Sequence, residues 1–307
     1  NKRFFTLGIK SLYVSQQAVN NNSNLKNMLG SDHLEIHETA FVTSAFRATD
    51  VNLSGDHFAY LWNNPKAEKW AEEYLTKVSS EETFTHCLRN RYFLDKIKEN
   101  IIKNGIEVMI NFGAGFSMYP FLLDQKIIHI EIDKPEIVAH KKYKIEQWQN
   151  EDLLPKRNIQ FVGVDFSKEF KEGLLATIDS VKGKKKCFIL IEGVLFFLDR
   201  EETDSLFQLF NLIQDTGDII GSASFQDNLK QTLAFKRLLN FFGEKVSKTK
   251  ASDYQTIQDS YYREISGYSL VDHQDYFSLS KTYSHEILQD RELILNENFY
   301  LLQKIKS

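Results

Sequence analysis

Cysteine and proline are both scarce in this chain of 307 residues, which has two cysteines and four prolines. Cys87 and Cys187 lie far apart and outside any CxxC or Cys/His pattern, so the sequence predicts neither a disulfide framework nor a metal site. Because no stretch rich in proline, glycine and serine divides the chain, we expect one compact unit with helical additions. Two unpaired thiols, and an initial stretch without the apolar core of a signal peptide, predict a cytoplasmic protein.

An excess of charge of one sign is absent as well. The net charge is -4, and the lysines are interspersed with acids, so we do not expect a basic face for nucleic acid. No apolar run reaches the roughly 20 residues that a membrane-spanning helix needs, so a membrane is not expected as a partner either. A small molecule remains the expected partner, and the oligomeric state is not predicted.

What the sequence does contain is a change of pattern near residue 105. Residues 1–104 carry apolar side chains at helical spacing, as in "KAEKWAEEYLTKV", and predict an N-terminal helical cap. From Glu107 onward, five short apolar runs alternate with helical segments: "EVMINF", "KIIHIEI", "IQFVGVDF", "CFILIEGVLFFL" and "DIIGSASF". Runs of this kind are typical of strands buried on both faces, so residues 105–307 predict a doubly wound, mostly parallel α/β core.

The alternation of apolar runs and helical segments ends after Phe225. An aromatic-rich stretch over about 226–282 predicts a helical lid, before "FYLLQKIK" returns to a strand pattern. An insertion at this point would cover the carboxyl edge of the sheet, where ligands bind in such folds.

A glycine turn follows the first apolar run, in "NFGAGFS". Gly113 and Gly115 permit a tight turn from strand to helix and a close approach of a ligand to the backbone. The next run ends in Glu131 and Asp133, where a carboxylate can accept hydrogen bonds from both hydroxyls of a ribose. The stretch therefore predicts a cofactor that contains a ribose, although a plain tight turn is an equally good interpretation of the glycines alone.

Two cofactor classes share this arrangement: nicotinamide or flavin dinucleotides, and S-adenosylmethionine. The dinucleotide fingerprint needs a third glycine, and this chain has Met118 there. Asp165 and Phe166 end the third apolar run and can bond and cover an adenine, and Glu192 ends the fourth. Any one of these acids is more typical of a helix cap, but together they favour S-adenosylmethionine.

These segments, with "TAFVTSAFRA" and "LRNRYFLD" upstream, resemble the leucine carboxyl methyltransferase family and its bacterial O-methyltransferase relatives. The resemblance runs from about Thr39 to Phe197 and includes "EIDKP" and "EGVLFFL". It implies a class I methyltransferase fold and transfer of a methyl group from S-adenosylmethionine to a carboxylate or hydroxyl of a small metabolite, polyketide-like or otherwise secondary. An NAD(P)-dependent oxidoreductase and a non-catalytic binding protein of the same fold are the alternatives.

The resemblance also implies roles for single residues. Arg89 would pair with the methionine carboxylate of the cofactor, next to the turn of Gly113, Ala114 and Gly115. Glu131 and Asp133 would serve the ribose, Asp165 and Phe166 the adenine, and Glu192 the cofactor's amino group. Where the family has "LDTR", this chain has Phe116–Tyr119, so the acid and the arginine that brace the turn in the family are absent.

The acceptor site is the least defined part of the prediction. A hydroxyl acceptor needs a base, and His273 in the predicted lid is our candidate, with a surface histidine as the alternative. The tyrosines of the same segment are candidates for lining the substrate: Tyr261, Tyr262, Tyr268 and Tyr276.

Overall fold

A single seven-stranded sheet organises the chain in the computed structural model, which describes residues 39–165, 170–245 and 254–306. Its strands stand in the order β3-β2-β1-β4-β5-β7-β6. The first five pair in parallel, and β7 is antiparallel to both of its neighbours. The predicted doubly wound, mostly parallel sheet is confirmed. The strands are β1 (Val108–Phe112), β2 (Ile128–Asp133), β3 (Ile159–Gly163), β4 (Cys187–Ile191), β5 (Ile219–Phe225), β6 (Tyr268–Asp275) and β7 (Glu297–Lys304).

The apolar runs became strands because both faces of the sheet are covered. Every residue of β1 and of β4 is buried. One apolar cluster packs on each face: Ile110 and Ile189 belong to the first, and Met109 and Leu190 to the second. Successive residues of a strand point to opposite faces, so a strand between two clusters has to be apolar throughout.

Eleven α-helices lie within the described residues, and none of them is long and apolar enough to span a membrane. They are α1 (Thr39–Ala48), α2 (Val51–Ser54), α3 (Pro65–Lys77), α4 (Glu82–Asn104), α5 (Tyr119–Leu122), α6 (Pro135–Asn150), α7 (Lys171–Lys182), α8 (Arg200–Ile213), α9 (Leu233–Lys245), α10 (Asp259–Glu264) and α11 (Tyr276–Tyr283).

The cap predicted over residues 1–104 contains helices α1 to α4 in its described part, while residues 1–38 lie outside the described residues. Val42 of α1 and Trp70 of α3 join an apolar cluster that also contains Phe241 of α9. Helix α4 packs against α1 and ends at Gly105, whose φ of 67° is the left-handed conformation of a helix cap. The cap and α9 therefore enclose a space above one end of the sheet.

The predicted lid over 226–282 needs correction. Residues 246–253 lie outside the described part of the chain, and Leu233–Lys245 is helical, but Tyr268–Asp275 is the edge strand β6. Helix α11 then packs on β6 and α4, with Tyr276 and Phe277 in a cluster that covers one face of the sheet. Pairing with β7, which follows later in the chain, decided the structure of β6, and aromatic content alone did not indicate it.

Candidate active site

The glycine turn joins β1 to α5 at the carboxyl edge of the sheet. Gly113 has φ 70° and Gly115 has φ 43°, a conformation that residues with a side chain rarely adopt. A Cβ placed on Gly113 would lie 2.1 Å from Cγ2 of Val194, so the position has no room for one. The amide of Gly115 donates to Oδ2 of Asp133 at 2.8 Å, and this bond joins the turn to the tip of β2.

A buried lysine braces the turn from below. Nζ of Lys141 lies 2.5 Å from Oε2 of Glu131 and donates to the carbonyl oxygen of Ala114 at 3.2 Å. The hydroxyl of Ser117 donates to the same carbonyl at 2.9 Å, so two side chains hold the turn at Ala114. Glu131 is completely buried and, within the described chain, does not line the cavity above the turn. Burial raises its pKa, and the neighbouring Lys141 opposes this rise.

A second brace comes from α1. Arg47 is buried and pairs with Asp56 at 3.0 Å through Nε, while its Nη2 donates to the carbonyl oxygen of Phe116 at 3.2 Å. The segment Phe116–Tyr119 lacks the acid and the arginine that the family carries there, so side chains from elsewhere in the chain hold the turn. Lys141 and Arg47 hold the turn in their place.

A cavity of about 300 Å³, here called the strand-end cavity, lies against this turn. Of the predicted cofactor residues, it brings together Arg89, Gly113, Ala114, Gly115, Asp133 and Glu192. Its volume is at the lower end of the range for small-molecule sites. An open glycine turn beside two strand-end carboxylates suits a ligand that carries hydroxyl and amino groups, and the residues therefore fit the predicted cofactor.

Arg89 lies between two carboxylates, Glu192 of this cavity and Glu297 of β7. Nη1 of Arg89 bonds Oε2 of Glu297 at 3.0 Å, and Nε of Arg89 lies 3.9 Å from Oε2 of Glu192. The hydroxyl of Tyr119 also donates to Glu192, at 3.4 Å. Burial raises the pKa of Glu192, and Arg89 partly opposes this rise.

A smaller cavity of about 110 Å³ adjoins the first, and we call it the aromatic cavity. Helices α1, α3 and α9 supply most of its apolar wall, including Phe46, Trp70, Phe241 and Phe242. The two cavities share five lining residues: Thr39, Thr43, Arg89, Gly193 and Phe197. A ligand in the strand-end cavity therefore lies next to any molecule in the aromatic cavity.

Polar residues also reach the aromatic cavity, and sequence reasoning missed most of them. Glu82, His86 and Arg89 line it from one face of α4, and Glu297 lines it from β7. The spacing of four and then three residues between Glu82, His86 and Arg89 is that of neighbours on a helix surface. The sequence "EETFTHCLRN" shows this spacing, which could have indicated that the three side chains lie together. No pattern in the sequence indicated that Glu297 joins them.

Several predicted site residues lie elsewhere. His273 is on β6, where its ring stacks on Tyr300 and its Nε2 lies 2.9 Å from Oδ1 of Asn298. It lines neither of the two cavities, so the structure does not support it as a base. Asp165 is described but is not a lining residue of the strand-end cavity, and Phe166 lies outside the described residues.

Of the four tyrosines predicted to line the substrate, only one lines a cavity described above. Tyr276 lines the aromatic cavity. Tyr262 is completely buried against Tyr300, Tyr268 donates to Gln214 in the core, and Tyr261 stacks under the guanidinium of Arg200. Three of the four thus stabilise the fold and do not line either cavity.

Comparison with known proteins identifies the family. The profile of the leucine carboxyl methyltransferase family matches residues 44–211, which is more than half of the chain. A search of curated proteins found no match.

Two crystal structures show the same fold. A protein from Thermobifida fusca that carries a provisional methyltransferase name aligns with a TM-score of 0.63 at 13% identity, covering 91% of this chain and 97% of that one. A DUF574 family protein from Streptomyces avermitilis aligns with a TM-score of 0.54 at 10% identity, covering 85% and 97%. The family match selects methyl transfer over the oxidoreductase alternative. The chain belongs to the leucine carboxyl methyltransferase family and is an S-adenosylmethionine-dependent methyltransferase.

Proposed function

We propose that this methyltransferase transfers the methyl group to an oxygen atom, carboxylate or hydroxyl, of a small molecule of polyketide-like or other secondary metabolism. The observation that carries the proposal is the junction of the two cavities. The strand-end cavity has the turn and the carboxylates for a cofactor, and the adjoining aromatic cavity has walls for an apolar acceptor.

The cofactor residues follow from their places around the strand-end cavity. Asp133 would hold the ribose from the tip of β2, and the turn of Gly113 and Gly115 would contact the amino acid part. Glu192 would accept from the cofactor's ammonium group. Nη1 of Arg89 is engaged by Glu297, but a guanidinium has further N–H groups, and these would meet the cofactor's carboxylate. Glu131 is assigned to bracing because it is buried against Lys141.

The remaining contribution of the protein is positional. S-adenosylmethionine supplies an electrophilic methyl group, so the protein has to align the acceptor oxygen and exclude water. The shared residues Arg89, Thr43 and Phe197 lie where the two ligands would meet, and the aromatic walls keep that place apolar.

A labelled-methyl transfer assay tests this function. The protein would be incubated with S-adenosylmethionine carrying a labelled methyl group and a panel of small carboxylic acids, phenols, alcohols and amines. We expect label in an ester or ether of an aromatic acceptor, identified by mass spectrometry. Label found on nitrogen or carbon and never on oxygen would contradict the proposal.

A further inference from the structure

Glu82 carries an unpartnered carboxylate oxygen at the wall of the aromatic cavity. The residue is 3% exposed, and its Oε1 has no hydrogen-bond partner within the described chain. Its Oε2 lies 3.5 Å from Nδ1 of His86. A buried acceptor without a partner is unfavourable by itself, and because Glu82 lines the aromatic cavity, its unpartnered oxygen indicates a ligand with a donor group.

The charges around the aromatic cavity indicate what kind of ligand. Glu82 and Glu297 are its carboxylates, and Arg89, its one arginine among the described lining residues, already pairs with Glu297 at 3.0 Å. His86 adds no charge, because burial holds its pKa well below the usual range. Above a pH of about 8, where Glu82 is ionised, a carboxylate ligand would therefore meet two carboxylates and no uncommitted cation, which disfavours its burial.

The tautomer of His86 leaves Oε1 of Glu82 without a partner among the described residues. Nδ1 of His86 lies 2.9 Å from the carbonyl oxygen of Glu82, and a carbonyl can only accept, so Nδ1 carries the hydrogen. That hydrogen is directed to the backbone. The ring therefore does not satisfy Oε1 of Glu82.

The size of the cavity limits the ligand further. Its volume of about 110 Å³ is similar to that of apolar cavities that bind a single benzene ring, which are on the order of 150 Å³. Aromatic side chains such as Phe46 and Trp70 form its walls and suit the faces and edges of such a ring.

We propose that the acceptor is an uncharged aromatic molecule bearing a hydroxyl group, and that Glu82 selects it by accepting that hydroxyl's hydrogen bond. This inference rests on the proposed O-methyl transfer and chooses hydroxyl over carboxylate. On transfer of the methyl group the hydroxyl's proton would pass to the ionised carboxylate of Glu82, which therefore selects the acceptor and takes up its proton. The rise of its pKa to about 8, caused by burial and then by Glu297 against the opposing Arg89, agrees with a carboxylate that lacks a donor.

Two ligands with the same aromatic ring test the inference. Phenol and benzoate carry the same ring and differ in charge and in hydrogen-bond donor. Their binding to the protein saturated with S-adenosylhomocysteine would be measured by calorimetry at pH 8.5, for the natural protein, Glu82→Gln and Glu99→Gln. Glu99 is on the same helix and pairs with Lys103 at the surface, so its variant is the control.

We expect phenol to bind and benzoate to bind at least about ten times more weakly. Glu82→Gln should weaken phenol binding by about tenfold or more, because a hydrogen bond to a charged group is lost, while Glu99→Gln changes nothing. Equal or tighter binding of benzoate, no binding of either ring, or an unchanged affinity in Glu82→Gln would each overturn the inference.

Two further readouts separate this inference from the proposed function. Binding of S-adenosylhomocysteine and the thermal midpoint of Glu82→Gln show whether the variant is folded and keeps the cofactor site. If labelled methyl groups reach carboxylic acids but not phenols, the choice of hydroxyl fails and O-methyl transfer stands. If no oxygen acceptor is labelled at all, the proposed function fails.

Discussion

The two adjoining cavities differ in how the chain builds them. The strand-end cavity is built chiefly on the turn after β1, the tip of β2 and the end of β4, which are equivalent points of neighbouring parallel strands, and α1 and α4 of the cap complete its wall. The aromatic cavity collects side chains from α1, α3, α4, α9, α11 and β7, so that Glu82 and Glu297 meet although they lie far apart in the sequence. One cavity follows from the strand repeat, and the other depends on the packing of the cap.

We expect the largest effect on the strand-end cavity from a substitution of Lys141. The pair of Lys141 and Glu131 is completely buried below the glycine turn, and Lys141→Met leaves Glu131 without its partner. Breaking a buried pair destabilises by about 3–5 kcal/mol, so we expect a loss of that order in urea denaturation, together with weaker S-adenosylhomocysteine binding. Lys142→Met is the control, because Lys142 is exposed and its pair with Glu146 spans 3.9 Å. Similar losses in both variants would show that the brace has no special role.

A substitution of Gly113 should also disrupt the strand-end cavity without altering the aromatic cavity. Gly113→Ala forces a side chain into φ 70° and against Val194. The conformation costs about 1–3 kcal/mol, and displacement of Val194 adds to this and should remove most cofactor affinity. The control is Gly105→Ala, since Gly105 has φ 67° and nothing within 4 Å of the added Cβ. Both variants carry the conformational cost, so calorimetry and thermal unfolding should show an excess loss at Gly113. An equal loss at both sites would contradict the steric argument.

Asp133 should affect the cofactor without affecting the acceptor. Asp133→Asn keeps the shape at the tip of β2 but removes the charge that strengthens bonds from a ribose and from the amide of Gly115. We expect S-adenosylhomocysteine to bind about ten to a hundred times more weakly. Glu136→Gln, an exposed neighbour in the first turn of α6, should bind it normally. Unchanged affinity in Asp133→Asn would remove Asp133 from the cofactor site.

Glu82 should make the free energy of unfolding depend on pH even without a ligand in the aromatic cavity. The folded protein keeps the proton on Glu82 up to a pKa of about 8, while the unfolded chain loses it near the ordinary value of 4.5. Between these values the folded state binds more protons, so Glu82's contribution to stability is full below pH 4.5, declines as the pH rises, and levels off above 8. The decline approaches about 1.4 kcal/mol per pH unit.

The comparison with Glu82→Gln isolates this signature from the groups that surround it. Those groups are Glu81, His86 and Arg89 along the chain, Tyr74 on α3, Tyr276 on α11 and Glu297 on β7. They remain in the variant, so the difference in unfolding free energy between natural protein and variant should fall from pH 5 to pH 8. A difference that does not change with pH would show that Glu82 is ionised in the folded protein.

The contrast between the cavities also explains which residues the sequence could place. The glycine turn, Asp133 and Glu192 could be placed at one edge of the sheet because parallel strands bring their carboxyl ends together. His273 could not be placed correctly, because its position depends on the pairing of β6 with β7 and not on the residues around it. Glu131 shows that prediction from sequence can fail within a single strand. It is two residues before Asp133, yet it bonds Lys141 and does not line the strand-end cavity.

The sequence by itself determined the sheet and the glycine turn, because the apolar runs and the residues at their ends follow a local, repeating pattern, and its match to a family determined the class of cofactor. Only the tertiary structure decided that Lys141 and Arg47 brace the turn, that Tyr268–Asp275 is a strand, and that Glu82 faces an aromatic cavity. These features depend on contacts between elements that are distant in the chain. A side chain's partner, and hence its charge state and role, is fixed only when those elements pack.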